Sequence, residues 1–246
     1  GSMTIVAARP GVGKSALTMT IAKSMAKRGK KCLYYSFEMG AEENGERWLA
    51  MDSNVSLQGI TSHNLSSTEW GMLSESAERL SKLPLYICDD PTMTAEKIKA
   101  QVRTTPDIGC VFIDYLGLMK AEGHGRESRN LELGAISRDL KLLAMELEIP
   151  LVVLSQLNRN VSDTQRPSLA DLRDSGELEQ NANTVIFLWN INKDEKTIGV
   201  AVAKNRQGST GEVQMTFNGE YMRFTEIEAP VPQNEDAKQR KRGSSF

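Results

Sequence analysis

Two glycines, a lysine and a serine near the amino terminus have a spacing that suits phosphate binding. They belong to the run Ala8-Arg9-Pro10-Gly11-Val12-Gly13-Lys14-Ser15, which follows the apolar residues Thr4–Ala7 and precedes a helix-forming segment that begins at Ala16. Glycine adopts backbone angles that other residues avoid, so the loop N–H groups can converge on phosphate oxygens at the positive end of the helix. Lys14 would then reach the β- and γ-phosphates, and Ser15 would bind Mg²⁺. The run predicts a P-loop in which residues 8–16 contact a nucleotide, although Ala8 replaces the usual first glycine.

An acid at the end of a later apolar run is the candidate for metal binding. Asp114 follows Gly109–Ile113 in the Walker B pattern, and we expect it to hold the Mg²⁺ shell through water or the Ser15 hydroxyl. Many ATPases have a catalytic glutamate at the next position, where this chain has Tyr115. The general base is therefore expected elsewhere.

Two other strand-like runs end in acids that could accept a proton from water. Glu38 follows the run Lys31–Phe37, and we expect its strand to lie beside the P-loop strand, with the carboxylate in the ligand crevice of a parallel sheet. Asp89 is the second choice. Gln156 ends a fifth run and could sense a γ-phosphate through one hydrogen bond from its amide. The alternative interpretation is that Gln156 simply begins a loop.

The candidate residues lie in a regular alternation of strand and helix patterns. Five strand-like runs, at 4–7, 31–37, 84–88, 109–114 and 150–154, are separated by helical patterns. This order favours an α/β fold of the P-loop NTPase kind with a doubly wound, mostly parallel sheet. Two further runs and the Asn218-Gly219 pair predict a C-terminal antiparallel hairpin with a tight turn.

Helix patterns give two more local expectations. After the P-loop, Leu17, Ile21 and Met25 share one helix face. Farther along, Ser66 and Glu69 have the spacing of a capping box, which predicts that a helix begins there.

Composition limits the classes of protein that the chain can represent. Its 246 residues suit one domain, expected over 1–228, followed by a disordered basic tail over 229–246. With 30 Lys and Arg against 32 Asp and Glu, overall charge gives no argument for nucleic acid. No apolar run approaches the ~18 residues of a membrane span, so we expect no membrane partner and a cytoplasmic protein. The Gly1-Ser2 start so close to the first strand suggests a domain cut from a longer protein.

Six separated segments together resemble one known family. They are residues 7–15, Phe37-Glu38-Met39, Ile113-Asp114-Tyr115-Leu116, residues 155–159, residues 171–176 and Lys204-Asn205-Arg206. In this order they resemble the RecA-like motor domain of DnaB-type replicative helicases from bacteria and phages, and the resemblance covers about residues 4–225. Ala8 in place of glycine also matches this family.

The resemblance implies a homohexameric ring that hydrolyses ATP or another NTP with Mg²⁺ at its subunit interfaces. Glu38 would be the catalytic base, Gln156 the phosphate sensor and Arg47 a contact to the nucleotide base. Lys204 and Arg206 would reach into the neighbouring subunit's site, where an arginine finger can be worth several powers of ten in rate.

The resemblance also implies that the motor moves along single-stranded DNA and separates duplexes. Arg173, Asp174, Ser175 and Gly176 would face the central channel and contact DNA phosphates. A helicase loader and a primase are expected partners. The family's amino-terminal domain and linker helix have no counterpart in the chain, so ring formation by the chain itself is left open.

Two other functions fit parts of the sequence. A RecA-like recombinase or repair ATPase would share the P-loop, the strand-end glutamate and the sheet, although the chain lacks the zinc-ribbon CxxC pair of one branch of that class. A helicase-like loader would bind nucleotide without turnover, and the presence of Glu38, Asp114 and Arg206 argues against it. Strand separation on a forked duplex would distinguish all three.

Overall fold

A nine-stranded sheet runs through the part of the protein that the structure, a computed structural model, describes: residues 1–119, 129–158 and 161–227, with only the backbone for 129–131 and 173–176. The strands are β1 (Met3–Ala8), β2 (Lys31–Ser36), β3 (Leu85–Cys88), β4 (Ile108–Asp114), β5 (Leu151–Gln156), β6 (Thr184–Asn192), β7 (Thr197–Asn205), β8 (Gly211–Asn218) and β9 (Arg223–Glu226). The α-helices are α1 (Lys14–Lys27), α2 (Ala41–Ser53), α3 (Leu57–Thr61), α4 (Ser67–Ser81), α5 (Ala95–Thr104), α6 (Arg129–Leu147) and α7 (Gly176–Asn181). Two 3-10 helices occupy Leu116–Leu118 and Leu169–Ser175. The predicted basic tail lies outside the described residues.

The order of the strands explains where the site forms. It is β3-β2-β4-β5-β1-β6-β7-β8-β9. The pairs from β3 to β6 are parallel and those from β6 to β9 are antiparallel, which confirms the predicted mostly parallel sheet with an antiparallel C-terminal part. The expectation that β2 lies beside β1 was wrong, because β4 and β5 lie between them. The packing of long crossover connections decides the order of parallel strands, and no local sequence signal records it.

Helices cover both faces of the parallel part because successive side chains of a strand point to opposite sides. In β2, Leu33 and Tyr35 pack in the cluster that includes residues of α5 and α6. Cys32 and Tyr34 pack in the cluster that includes residues of α1 and α2. Burying one large apolar side chain contributes about 1.5–3 kcal/mol, so these two layers fix the direction in which each residue of β2 points.

Local turn and cap signals were partly correct. The capping box at the start of α4 is confirmed: Glu69 N donates to Ser66 Oγ at 3.3 Å, and Ser66 N donates to Glu69 Oε2 at 2.8 Å. The β8–β9 hairpin is present, but its four-residue loop, Gly219–Met222, replaces the expected tight turn, and Met222 has a φ of 51°. Among the described helices, none has the length and apolar character needed to cross a membrane.

Candidate nucleotide-binding site

The predicted P-loop joins the end of β1 to the start of α1. Gly11 and Gly13 have φ angles of 79° and 103°, in the left-handed region that favours glycine. At Gly13 a side chain would also lack room, since an added Cβ would lie 3.0 Å from Cζ of Phe224. Both glycines are therefore needed for the loop to turn and to keep its N–H groups free at the helix start.

Lys14 and Asp114 meet beneath the loop. Lys14 Nζ lies 3.9 Å from Asp114 Oδ1, and their side chains are 8% and 0% exposed. The ammonium also lies 4.9 Å from the centre of the Tyr115 ring. Burial lowers the pKa of Lys14, while the charges of Asp114 and Glu38 act in the opposite direction. A buried cation held between acids and a ring suits an anionic ligand such as a polyphosphate.

Asp114 has one oxygen that is bound and one that is available. Its Oδ2 accepts a hydrogen bond from the Tyr34 hydroxyl at 3.0 Å. Its Oδ1 is buried, and among the described residues it has no hydrogen-bond donor. Such an oxygen fits a cation shell, because a buried acceptor without a partner costs free energy. The described part of the chain contains no cluster of three His, Cys, Asp or Glu side chains that could hold a metal ion. Mg²⁺ in nucleotide sites does not require one, because it is usually bound by one or two carboxylates and by the phosphates.

Glu38 reaches this cleft through the loop that follows β2. Phe37 N donates to Asp114 O at 2.6 Å, which brings the loop to the end of β4. The Asn44 amide donates to Ser36 Oγ at 2.9 Å, Met39 O at 3.2 Å and Gly40 O at 2.9 Å. This brace places Glu38 in the lining of the same cleft as Lys14, although two strands, β4 and β5, separate β2 from β1. No sequence signal pointed to this role of Asn44.

Asp89, the second candidate for the base, occupies a different position. Its Oδ2 accepts a hydrogen bond from Ala41 N at 2.8 Å, at the start of α2. It is not among the residues that line the cleft. A carboxylate at this place stabilises the helix start.

Gln156, Arg9 and Arg47 complete the polar lining. Gln156 is exposed and lies opposite Ala8 in the β1–β5 register, level with the start of the P-loop. The Arg9 guanidinium donates to the carbonyls of Leu157 and Asn158 at 3.2 and 3.3 Å. Arg47 donates from Nη2 to Glu43 Oε1 at 2.8 Å. Its buried Nε has no acceptor among the described residues.

The C-terminal hairpin supplies a wall of the cleft that the sequence did not predict. Phe217, Gly219 and Met222 line the cleft beside the P-loop. The rings of Phe217 and Phe224 stack at 4.6 Å, against Gly13. Leu57 N donates to Glu220 O at 2.8 Å and fixes the hairpin loop to α3. The Asn218-Gly219 pair signalled a hairpin but not the place to which it folds.

Lys204 and Arg206 lie at the other end of the sheet. Asn205, between them, pairs with Thr184, and Thr184 pairs with Thr4 near the start of β1. The P-loop begins at the opposite end of β1, about 13 Å farther along at ~3.3 Å per residue. Lys204 Nζ donates to Glu179 O at 2.7 Å, and Arg206 Nη2 donates to Gln180 O at 2.5 Å. Within one chain these cations do not join the cleft.

The four predicted DNA-binding residues belong to two short helical segments. Arg173, Asp174 and Ser175 lie in the 3-10 helix Leu169–Ser175, and Gly176 begins α7. Their side chains lie outside the part that the structure describes.

Comparison with known proteins agrees with this geometry. The family model described as DnaB-like helicase C terminal domain matches residues 1–226. The replicative DNA helicase DnaB of Geobacillus stearothermophilus is 38% identical over 238 residues, which are 92% of this chain and 52% of that protein. The replicative DNA helicase DnaB of Leifsonia xyli is 40% identical over 243 residues, 94% of this chain and 53% of that protein. The chain therefore spans about half the length of these relatives.

Solved structures give the same result. The ATPase domain of G40P superposes with a TM-score of 0.86 at 33% identity, covering 92% of this chain and 85% of that one. A DnaB-like replicative helicase, described with its interactions with primase, gives a TM-score of 0.85 at 33% identity and covers 92% of this chain and 57% of that one. With the sheet order, the P-loop and the Walker B acid in place, these matches show that the chain belongs to the DnaB-like helicase C-terminal domain family.

Proposed function

We propose that the chain is the ATP-hydrolysing motor of a replicative-type DNA helicase. The observation that carries the proposal is that Lys14, Glu38 and Gln156 line a single cleft with Asp114 buried beside it. These groups come from four different strand ends. A cleft with a cation, a potential base and an amide around a P-loop has what phosphoryl transfer to water requires.

Each residue of the cleft has a distinct role in this proposal. The loop N–H groups and Lys14 bind the β- and γ-phosphates of ATP, and Glu38 accepts the proton of the attacking water. Gln156 hydrogen-bonds to the γ-phosphate, and Arg47 contacts the nucleotide base. Ser15 and Asp114 would hold Mg²⁺, which neutralises developing charge on the phosphates when it is bound.

Lys204 and Arg206 are proposed to act on the site of a neighbouring subunit. Their position at the far end of the sheet supports this role, since they cannot reach the cleft of their own chain. Copies arranged head to tail would bring this end of one chain to the cleft of the next, and a closed ring of six would give every cleft a neighbour.

The proposal extends to DNA and to partner proteins. Arg173, Asp174, Ser175 and Gly176 would contact single-stranded DNA phosphates without reading bases, so binding would tolerate any sequence and weaken as salt rises. A primase and a helicase loader are the proposed partners. The cytoplasm is the proposed location.

Hydrolysis and strand separation test the proposal. Lys14→Ala should abolish ATP hydrolysis and weaken binding, because the charge on the β- and γ-phosphates is lost. A forked duplex should be separated in an ATP-dependent manner by the chain or by a longer protein that contains it. Pairing of complementary strands without separation would instead indicate a recombinase, and neither activity would indicate a loader.

A further inference from the structure

A chain of two hydroxyl groups joins the first turns of α1 to the buried carboxylate at the end of β4. Thr18 Oγ1 lies 3.3 Å from the Tyr34 hydroxyl, and that hydroxyl lies 3.0 Å from Asp114 Oδ2. All three residues are fully buried. Because an ionised carboxylate only accepts hydrogen bonds, Tyr34 must donate to Asp114. Thr18 has a single hydroxyl proton, for which the Tyr34 oxygen at 3.3 Å competes with the Ser15 carbonyl at 3.0 Å.

We propose that Tyr34 is a positioning residue that sets the orientation of Asp114 for metal-bound nucleotide. The inference rests on the proposed nucleotide site and deepens it. With Oδ2 held by Tyr34, the other oxygen, Oδ1, faces Lys14 Nζ at 3.9 Å and carries no hydrogen bond from the described residues. Without that hold, the carboxylate can rotate about its Cβ–Cγ bond. Oδ1 would then turn away from the metal and be lost to its shell.

The surroundings of Tyr34 leave its ring little freedom. The ring stacks on Phe112 at 5.8 Å and meets the edge of Trp48 at 5.4 Å. Thr18 Oγ1 also lies 3.3 Å from Lys14 O and 3.0 Å from Ser15 O, in the helix turn that follows the P-loop. The hydroxyl chain thus links the phosphate-binding helix, through a fixed ring, to the acid that would serve the metal.

The test measures how much Mg²⁺ strengthens ATP binding, separately from the affinity for ATP without the metal. The dissociation constant of ATP is measured with excess Mg²⁺ and again in EDTA, for the unmodified chain and for Tyr34→Phe. The ratio of the two constants reports how much the metal strengthens binding. Groups that orient metal ligands typically contribute about 10–100-fold to metal affinity. We expect Tyr34→Phe to reduce this ratio about tenfold or more and to leave the EDTA constant within about twofold.

Tyr35 provides the matched control. It is the next residue of the same strand, points to the opposite face, and donates its hydroxyl hydrogen to Gln101 Oε1 at 2.9 Å. Tyr35→Phe removes an equivalent hydroxyl from a buried ring and should leave the Mg²⁺ ratio unchanged. Thermal unfolding of both variants shows whether they fold.

Three results would overturn the inference. One is a folded Tyr34→Phe chain with the unmodified ratio. Another is an equal weakening of binding with and without Mg²⁺, which would show a merely structural role. The third is a Tyr35→Phe chain in which the ratio of the two ATP dissociation constants falls as far as it does in Tyr34→Phe. If Tyr34→Phe does not fold, Thr18→Val replaces it, and a ratio that stays at the unmodified value would count against the hydroxyl chain. Absence of ATP binding by the unmodified chain in either condition would refute the proposed function itself.

Discussion

The two ends of the parallel strands are built differently. At the carboxyl end, Lys14 is buried against Asp114 and the Tyr115 ring, and Asn44 braces the loop that carries Glu38. At the amino end, Lys204 is half-buried, Arg206 is exposed, and both donate to backbone carbonyls. Lys141 lies nearby and donates to Asn183 Oδ1 at 2.6 Å.

The two ends also differ in the charges that surround their lysines. Burial, followed by the charge of Arg206, lowers the pKa of both Lys141 and Lys204. The charge of Arg206 thus disfavours the charged form of both lysines, while Glu179 favours that of Lys204, and an incoming anion would favour the charged form of both. In the proposed function, the carboxyl end provides most groups of a nucleotide site, whereas the amino end would offer its cations to an anion held by a neighbouring molecule.

At the amino end, the largest expected effect comes from removing the cation of Arg206. In assembled protein, Arg206→Ala should lower ATP hydrolysis by about 10³-fold or more and leave nucleotide affinity within a few-fold, because the residue would act on charge that develops in the transition state. Arg138→Ala is the control, since this exposed arginine near α7 pairs with Glu177. Steady-state hydrolysis and nucleotide titration are the measurements.

Mixing the Arg206→Ala protein with Lys14→Ala protein tests action between subunits. Each variant lacks a different side of the interface, so mixed assemblies should regain some competent sites. No recovery at any ratio, once mixed assemblies are shown to form, would argue that Arg206 does not act across an interface.

At the carboxyl end, Glu38→Gln should reduce hydrolysis by about 10²–10⁴-fold, since it keeps the shape of the side chain but removes the proton acceptor. Nucleotide binding should stay intact, in contrast to Lys14→Ala. Glu42→Gln, an exposed acid of α2 outside the cleft, is the control. If Glu38→Gln hydrolysed ATP at the unmodified rate, another acid would have to be the general base.

A smaller effect concerns the ion pairs that tie the P-loop helix to its neighbours. Asp52 of α2 contacts Lys23 and Lys27 of α1 and Arg79 of α4. Burial alone would raise the pKa of Asp52. Hydrogen bonds from Lys27 and Arg79 and the charge of Lys23 outweigh burial and lower this pKa to about 2. A folded-state pKa below the unfolded one contributes stability at neutral pH that is lost as pH falls from about 4 to about 2.

Asp52→Asn should therefore reduce the free energy of unfolding at pH 7 by about 1–2 kcal/mol, less than the full pKa shift would give, because Lys27 and Arg79 are half-exposed and their charges are screened by solvent. The difference between variant and unmodified chain should shrink as pH falls through this window. Urea unfolding at a series of pH values measures it. A difference that is constant from pH 7 to pH 2 would contradict the assignment.

The smallest effect is expected at the hairpin wall. Phe224→Ala removes a ring that stacks on Phe217 and touches the P-loop at Gly13. An aromatic pair is worth about 0.5–1.5 kcal/mol, so ATP affinity should fall about two- to tenfold. Val213→Ala, an exposed site in β8, should leave ATP affinity unchanged. Unchanged affinity in Phe224→Ala would show that the hairpin covers the loop without stabilising it.

Local features were predictable because a few adjacent residues determine them. The P-loop turn depends on Gly11 and Gly13, and the start of α4 depends on Ser66 and Glu69. Strand ends likewise placed Gln156 in the cleft. In each case the physical cause lies within a few residues of the signal.

Features that depend on distant packing were not predictable from the sequence. In α1, the shared face of Leu17, Ile21 and Met25 is only half-buried, and the fully buried positions include Ala16 and Ala22. Small residues there let the helix lie close to the sheet, which no periodicity of large residues shows.

The same limit applied to the groups that orient the site. Tyr34 and Asn44 contact it only because β2 lies beside β4. The sequence predicts the strand of Tyr34 and the helix of Asn44, but it does not predict the residues that their side chains contact.

The contact between Gly13 and Phe224 joins the beginning of the described chain to its last strand. Contacts between residues so far apart in sequence form late, because a long loop must be closed before they can contribute. During synthesis on a ribosome, the P-loop emerges before β8 and β9, the strands that form its wall. A nascent chain that stops before β8 therefore carries the phosphate loop without the aromatic pair that supports it.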